Sequence, residues 1–442
     1  MLARSVRHKL LRVIPQSRLD QIVQREAGHH RERVYPPLVT LGLFVEQALR
    51  SDQACQDAVG CGLSQRTSLG LAPSSLNTGS YCKARQRLPL GLIETVTREV
   101  AAVAQSRAPE HWSWRGRPIK LMDGTTVSMP DTAANQAEFP QNHQQRPGLG
   151  FPLARIVGVI ALSTGAVTHW TVSACEGRGT HELMHAWRLL DAFQAGDVVV
   201  ADRAYGSYFL LAALHQRGVD CVIREHQRRK TNLTTAVRLT AKDHRLVWDK
   251  PQRPRWMDRS TYAAIPEQLT VRQVCDRDWH ITTTLTNSAT VKAAEVIRLY
   301  RQRWHVKLDF RCIKCEMQMD ILRCKTPQMV KKEIAVHLLG YNLIRVAISE
   351  AAQSRMCLPR QLSFAAARRA VLTLQEKMRH DPDAIFAHAK VALLSNIGYW
   401  RIPHRPNRFE PRAVKRRRQI HPLLTVPRHI ARQRLAQQRQ SA

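Results

Sequence analysis

Apolar side chains recur every three to four residues in the first part of the chain, a spacing that predicts amphipathic helices. The clearest series is Leu38, Leu41, Val45 and Ala48. Another helix is predicted over residues 81–89, and Pro89 should end it because proline disfavours helical geometry in the residue before it. We therefore predict a helical N-terminal domain over residues 1–110.

From about residue 117 the pattern changes to that of strands. Short apolar runs bounded by turn residues predict strands at residues 119–122, 154–162, 166–173, 197–201 and 218–224. Helices are predicted at residues 181–194, between the third and fourth strands, and at residues 207–217, before the fifth. This alternation indicates an α/β fold that contains parallel strands.

An aspartate follows each of two predicted strands. Asp123 comes directly after the first strand and Asp202 directly after the fourth. If these strands are neighbours, the helical crossover makes them parallel and both carboxylates lie at one edge of the sheet. Two adjacent carboxylates repel each other unless a cation lies between them, and Mg²⁺ prefers such oxygen ligands. The pair is a candidate metal site, although an aspartate after a strand is also a common turn residue.

Residues 226–287 are rich in Arg and Lys, and Trp248 and Trp256 lie among them. Cations interleaved with indole rings suit a surface that binds phosphates and stacks on bases. A solvated β-rich insertion is the alternative interpretation, and residues 279–285 are themselves predicted to form a strand.

A long helix is predicted to begin near Lys292. Four of its residues fall on one stripe at about 100° of rotation per residue, namely Tyr300, Arg303, Lys307 and Lys314. This aromatic and cationic stripe could extend over a core surface. Beside a pair of carboxylates we interpret it instead as a clamp on phosphate.

The charge of the chain favours a polyanionic partner. Its 442 residues include 68 Lys and Arg against 35 Asp and Glu, a formal net charge of +33 at pH 7. Such a surface attracts nucleic acid by counterion release. Residues 401–442 contain twelve Arg or Lys, the single acid Glu410 and five prolines, which predicts an extended basic arm that orders on nucleic acid. No apolar run reaches the roughly 18 residues of a membrane span, so we expect a cytoplasmic protein without a membrane partner.

Two sets of residues suggest zinc. One is a group of three cysteines near a histidine: Cys312, Cys315, Cys324 and His305. The other is the HExxH motif of His181, Glu182 and His185. Neither set is complete in the sequence, so a zinc metallohydrolase stays a minor alternative and we expect the ten cysteines to be reduced.

Several motifs together resemble the DDE transposases of the insertion-sequence type four family. They are the run at residues 123–132, the Gly-Leu-Gly-Phe-Pro segment at 148–152, Ala201-Asp-Arg203 with Tyr205, and Tyr300-x2-Arg303-x3-Lys307-x6-Lys314. The resemblance implies a ribonuclease H-like catalytic core at residues 111–225 and 288–400, interrupted by the basic β insertion. It further implies Mg²⁺, or Mn²⁺ in its place, action on double-stranded DNA at terminal inverted repeats and at the target, a homodimer in the synaptic complex, and association with a bacterial nucleoid.

The resemblance also implies a role for each matched residue. Asp123 and Asp202 would hold metal, Arg303 and Lys314 would bind phosphate, and Tyr300 would lie near the strand end. One position departs from the family pattern, because Lys307 occupies the place of the family's third acid, a glutamate.

A cation at this position competes with a metal ion, so we predict that strand cleavage is impaired. Asp309 and Glu316 lie about 180–200° around the helix from Lys307, so neither can replace the missing acid. A non-catalytic protein that occupies the element ends is the alternative.

Overall fold

The computed structural model describes residues 13–30, 33–68, 70–177, 179–226, 229, 234, 236–276, 279–380, 386–403 and 424–440. At residues 374–380, 386–390 and 439 it describes the backbone alone. The middle of the predicted basic arm, residues 404–423, lies outside the described residues.

The N-terminal part is helical, as predicted. Its helices are α1 (Gln16–Ala27), α2 (Pro37–Leu49), α3 (Cys55–Ser68), α4 (Gly79–Arg87) and α5 (Leu90–Ser106). On α4, Arg85 is only 7% exposed and its guanidinium lies 4.0 Å from the centre of the Phe44 ring. Arg85 therefore packs inside the protein rather than on a solvated face.

A nine-stranded sheet forms the centre of the molecule. Its strands are β1 (Ile119–Ser128), β2 (Leu153–Ala161), β3 (Val167–Ala174), β4 (Val198–Ala201), β5 (Asp220–Arg224), β6 (Val237–Thr240), β7 (Asp243–Asp249), β8 (Gln268–Asp276) and β9 (Trp279–Thr283). They are arranged in the order β3-β2-β1-β4-β5-β9-β8-β7-β6. The predicted parallel pairing of β1 with β4 is confirmed, and β4 is also parallel to β5. The other paired strands are antiparallel.

Further helices lie between and after these strands in the chain. They are α6 (Ala133–Glu138), α7 (Glu182–Arg188), α8 (Tyr208–Gln216), α9 (Arg259–Ala264), α10 (Ala293–Arg301), α11 (Trp304–Arg311), α12 (Pro327–Ser354), α13 (Phe364–His380), α14 (Phe386–Tyr399) and α15 (Arg428–Gln440). Among the described helices we find none with the length and apolar character of a membrane span. The α/β architecture agrees with the predicted ribonuclease H-like core and its helical N-terminal region.

The helix α12 joins the N-terminal helices to the sheet. Most of its residues are buried, and its apolar side chains share one core with α2, α5 and the strands. The buried Asn342 amide donates to the backbone carbonyls of Thr97 on α5 and Val167 on β3, and its oxygen accepts from the Val167 amide. Because a buried amide is costly without partners, these bonds fix α12 against both elements.

Three predicted elements differ from the structure. β1 continues to Ser128 instead of ending at Met122, because its far half pairs with β2. The helix predicted from Lys292 is interrupted at Gln302 and Arg303 and ends in the π-helical turn Cys312–Glu316. The helix predicted at residues 181–194 is α7, which ends earlier and is followed by a short 3₁₀ turn.

Part of the predicted extended arm is helical, since α15 covers Arg428–Gln440. This helix consists mostly of Arg, Gln, Ala and Leu, which are good helix formers. No proline follows Pro427 in this stretch. The arm therefore combines a described helix with residues outside the described part.

The basic insertion extends the central sheet instead of forming a separate one, because β9 pairs with β5. Its interior holds an ion pair between the fully buried Arg272 and Asp243, with Nη2 and Oδ2 2.5 Å apart. Arg272 also donates to the Leu285 and Val291 carbonyls, so that it joins β8 to the segment that leads into α10.

We predict that Arg272→Met lowers the free energy of unfolding by about 3–5 kcal/mol, because it leaves the Asp243 carboxylate buried without its partner. Urea denaturation of the full chain measures this change. Arg301→Met is the matched control, since its pair with Asp276 is largely exposed on the arginine side, and it should cost under about 1 kcal/mol. Equal costs for the two variants would contradict the prediction.

A second prediction concerns pH. Burial lowers the pKa of His337, on α12, to about 3, whereas an unfolded histidine titrates near 6.5. Between these values only the unfolded chain binds the proton, so His337 contributes full stability above about pH 6.5 and loses it as the pH falls toward 3. The unfolding free energy measured in urea should therefore decrease from about pH 7.5 to about pH 5.5, and His337→Gln should make this decrease smaller. An unchanged pH dependence in the variant would refute this explanation.

Candidate active site

Asp123 and Asp202 lie side by side at the carboxyl edge of two parallel strands. The pairing of β1 with β4 ends at Met122 and Ala201, so each aspartate is the next residue along its strand. Asp123 is 5% exposed and accepts a hydrogen bond from the Gly124 amide. Asp202 precedes a short 3₁₀ turn and accepts from the Arg203 amide. The sheet thus brings together the two carboxylates that the strand order predicts.

Arg303 contacts both carboxylates. Its Nη1 lies 3.8 Å from Asp123 Oδ2 and 3.4 Å from Asp202 Oδ2, and its side chain is 14% exposed. Arg303 can reach them because it lies at the break between α10 and α11, which faces the edge of the sheet. One cationic group of the protein therefore bridges the aspartate pair.

Lys307 adds a second cation to the same carboxylate. Its Nζ lies 2.9 Å from Asp123 Oδ2, and its side chain is 40% exposed. The helix α11 packs closely on the sheet here, since a Cβ at Gly158 would lie 3.3 Å from the Phe310 ring. The ammonium group of Lys307 consequently occupies an oxygen of Asp123 that a metal ion would need.

Asp309 points away from the site, as predicted from the helical angle. It is 3% exposed and accepts hydrogen bonds from the Tyr341 hydroxyl and from the guanidinium groups of Arg345 and Arg360. Asp309 therefore anchors α11 from behind and cannot replace the missing acid.

Tyr300 and Lys314 lie near the same edge. Tyr300 is 2% exposed, packs edge-on against Trp279 and lies beneath the Arg303 guanidinium, and burial raises the pKa of its phenol. Lys314, in the π-helical turn, donates to the Thr126 carbonyl of β1 at 2.7 Å. Arg303, Lys307 and Lys314 thus all face β1, even though the helix that carries them is interrupted.

Glu182 is a further acid at this edge, and the sequence indicates it only as part of a zinc motif. It is the first residue of α7, and its Oε1 lies 2.7 Å from the point where a Cβ at Gly124 would stand. Burial raises the pKa of Glu182, and the charge of Asp123 raises it further. The strand order indicates where Glu182 lies. Because β3 runs parallel to β1, the crossover helix that follows β3 begins at the edge of the sheet where Asp123 lies.

The HExxH motif does not form a zinc site. His185 is fully buried, and its two ring nitrogens lie 2.6 Å from the Thr171 hydroxyl and 2.7 Å from the Ser173 hydroxyl. Burial also lowers the pKa of His185 to about 4. Since both nitrogens have hydroxyl partners, His185 has none to offer to zinc, and the geometry does not support the metallohydrolase alternative.

The cysteines behave as expected for thiols. All ten fall in the described part of the chain and are free. Within the described residues, no three His, Cys, Asp or Glu side chains converge in a way that could hold a metal ion. The set of Cys312, Cys315, Cys324 and His305 therefore does not form a metal site in this structure.

The two tryptophans predicted to stack on bases are packed instead. Trp248 is 8% exposed and lies beneath the Arg229 guanidinium at 3.7 Å. Trp256 packs edge-on against Trp187 and Phe209. Their positions therefore do not support the predicted base-stacking role, which depended on the exposure of their ring faces.

Cationic side chains surround the acids. A cavity of about 740 Å³ beside Glu182 is lined by Arg155, Arg203 and Arg229 together with His181 and His226.

Asp123 and Asp202 have the hard oxygen donors that a divalent cation prefers. In the present arrangement, however, Arg303 and Lys307 already neutralise them, and α11 supplies no third carboxylate. The residues thus fit one divalent cation only if it displaces these cations.

The chain is similar to known transposases. The family model described as transposase DDE domain matches residues 114–343. The chain is 28% identical, over 361 residues, to the transposase InsG for insertion sequence element IS4 of Escherichia coli (strain K12), which covers 78% of this chain and 77% of that protein. Among solved structures it is similar to the piggyBac transposase in a synaptic complex with hairpin DNA, with a TM-score of 0.44 and 10% identity over 89% of this chain and 85% of that chain.

Proposed function

This chain belongs to the DDE transposases of the insertion-sequence type four family, and from that premise we propose that it binds the terminal inverted repeats of its own element and cleaves and transfers DNA strands there at a reduced rate. The observation that carries the proposal is the contact between Lys307 and Asp123. It places an ammonium group 2.9 Å from a carboxylate oxygen of the aspartate pair that would hold the metal.

A divalent cation, Mg²⁺ or Mn²⁺, would be held by Asp123 and Asp202 and would neutralise charge on the phosphate oxygens at the reacting bond. Arg303 orients both carboxylates and leaves a guanidinium edge for phosphate. Lys314, fixed on the Thr126 carbonyl, adds positive charge along the same edge. Tyr300 positions Arg303 through its ring.

The protein's own cations also explain how DNA would reach the site. The cavity beside Glu182 is lined by arginines, and the net charge of +33 attracts the duplex over longer range. Synapsis of two element ends suits a homodimer, and target DNA would approach the same edge. The protein would act in the bacterial cytoplasm, on the nucleoid.

The second candidate function, occupation of the ends without cleavage, is favoured by the same contact of Lys307 with Asp123.

We predict that Lys307→Glu increases Mg²⁺-dependent nicking of the element ends by about 10–100-fold, because it removes a competing cation and restores a carboxylate. Single-turnover cleavage of a labelled end fragment measures the rate. Lys307→Gln separates the two causes, since it removes the ammonium without adding a ligand and should fall between the parent and Lys307→Glu.

Asp123→Asn in the Lys307→Glu chain should abolish nicking, which controls for a contaminating nuclease. Equal and robust cleavage by the parent and by Lys307→Glu would contradict impairment. No nicking by any variant, with binding retained, would favour the non-catalytic function.

A further prediction concerns DNA binding without metal. In the presence of a chelator the parent chain should still bind duplex DNA, because the basic surface is independent of catalysis. If it recognises the inverted repeats, it should bind a duplex that contains the element end more tightly than a scrambled duplex. The logarithm of the association constant should fall linearly with the logarithm of salt concentration, with a slope of about −0.9 for each phosphate contacted. Mobility-shift titrations over a range of salt measure this. Binding without preference for the end would argue against recognition of the inverted repeats.

A further inference from the structure

Three cysteines surround a buried arginine where the N-terminal helices meet the segment that leads into α12. Arg85, on α4, donates through Nη1 to Cys55 Sγ at 3.1 Å and through Nη2 to Cys324 Sγ at 3.3 Å. Cys82 lies on α4 about one turn before Arg85, and its Sγ is 3.9 Å from Cys55 Sγ. Two of the three sulfurs are therefore in direct contact, and one guanidinium links this pair to the third.

The positive charge of Arg85 lies in a buried site without a paired carboxylate. The side chain is 7% exposed, and its polar partners within the described residues are the two sulfurs and the Gln47 side-chain oxygen. Glu333 lines the same cavity as Arg85, but its carboxylate accepts from the backbone amides of Arg323 and Cys324. Because a buried cation is costly without a counter-charge, Arg85 favours negative charge that develops on an adjacent sulfur.

Cys55 is the best placed of the three cysteines to react first. It is the initial residue of α3, where the unpaired amides of the first helical turn add to the effect of Arg85. Burial raises the pKa of the Cys82 and Cys324 thiols, so both stay protonated near neutral pH. Cys55 and Cys82 are half-buried and line a cavity of about 520 Å³, so solvent reaches both sulfurs.

We propose that Cys55 and Cys82 form a reversible redox site, which a low-molecular-weight disulfide such as glutathione disulfide oxidises to a disulfide within the chain. Arg85 is the positioning residue, since it holds Cys55 and stabilises the charge on its sulfur during attack. The inference is independent of the proposed function, because it involves neither metal nor DNA.

Oxidation takes place in two exchange steps. The Cys55 sulfur attacks one sulfur of glutathione disulfide, which leaves a mixed disulfide on Cys55, and the released glutathione takes up the proton that Cys55 lost. The Cys82 sulfur then attacks Cys55 Sγ, the disulfide of the protein forms, and a second glutathione leaves with the proton of Cys82. Two protein thiols are thus oxidised, and one glutathione disulfide is reduced to two thiols. Reduced glutathione reverses both steps, so the pair is a dithiol in a reducing cytoplasm.

Thiol mapping of the full chain tests the proposal. The folded protein is incubated with glutathione disulfide, its remaining thiols are blocked with N-ethylmaleimide, and the digested peptides are identified by mass spectrometry. We expect a cross-linked pair of peptides that contains Cys55 and Cys82 and is two hydrogens lighter than the separate peptides. Dithiothreitol should restore both thiols.

Variants separate the steps. Cys82→Ser should stop the reaction at the mixed disulfide, with glutathione retained on Cys55. Arg85→Met removes the cation beside the sulfur and should slow the oxidation of Cys55 by about tenfold, whereas Arg85→Lys keeps the charge and should recover part of the rate. Circular dichroism verifies that each variant is folded.

Cys275→Ser is the matched control. Cys275 is half-buried like Cys55, but its sulfur lies beside His280 in the basic insertion, so its loss should leave the rate of cross-linking unchanged. The exposed Cys315 serves as an internal standard, since it should take up glutathione whether or not the pair reacts.

The outcomes are distinct. If Cys315 takes up glutathione while Cys55 and Cys82 stay unlinked, or if the two link only after the chain is unfolded in urea, the redox site is overturned. A cross-link from either residue to Cys324 would overturn the assignment of the pair, and equal rates in the parent and in Arg85→Met would overturn the role of Arg85. A cross-link that forms in the folded parent and in Cys275→Ser, and that Arg85→Met slows, supports the proposal.

Discussion

The site depends on one electrostatic constraint: two carboxylates at the ends of adjacent parallel strands must share positive charge. The pairing of β1 with β4 ends at Met122 and Ala201. This register places the next residues, Asp123 and Asp202, beside each other. Like charges at this separation repel strongly in a partly buried site. In this protein Arg303 and Lys307 supply the compensating charge, so the acid pair is stable without any external ion.

The rest of the core serves to hold those cations in place. Asp309 ties the rear of α11 to Tyr341, Arg345 and Arg360, while the opposite face of the same helix presents Lys307 to the sheet. The long helix α12 in turn joins the N-terminal helices to β3 through Asn342. Because each of these polar groups is buried with its partners, a shift of α11 would break several bonds at once. The position of Lys307 is therefore a property of the fold and not only of its own side chain.

The sequence predicts the strands because they depend on local pattern, and it predicts that the aspartates meet on the condition that the first and fourth strands are neighbours, which the structure shows. It fails where burial is decided by distant contacts. Trp248 lies in a basic segment whose composition suggests an exposed surface, yet it belongs to an apolar core formed with residues far away in the sequence. The interruption before α11 is likewise a tertiary effect, since no proline or glycine marks it at residues 300–304. Glu182 belongs to an HExxH motif that is visible because it is contiguous, whereas its proximity to Gly124 exists only in the folded chain.

At this site a metal ion would compete with Arg303 and Lys307 for the oxygens of the two carboxylates. The Lys307 ammonium is tethered, so its local concentration at Asp123 is set by the protein and does not change with the solution. A divalent ion must replace that contact and also overcome the residual repulsion from Arg303, which stays in the site. The lysine on α11 would thus make metal binding an exchange of one cation for another at Asp123.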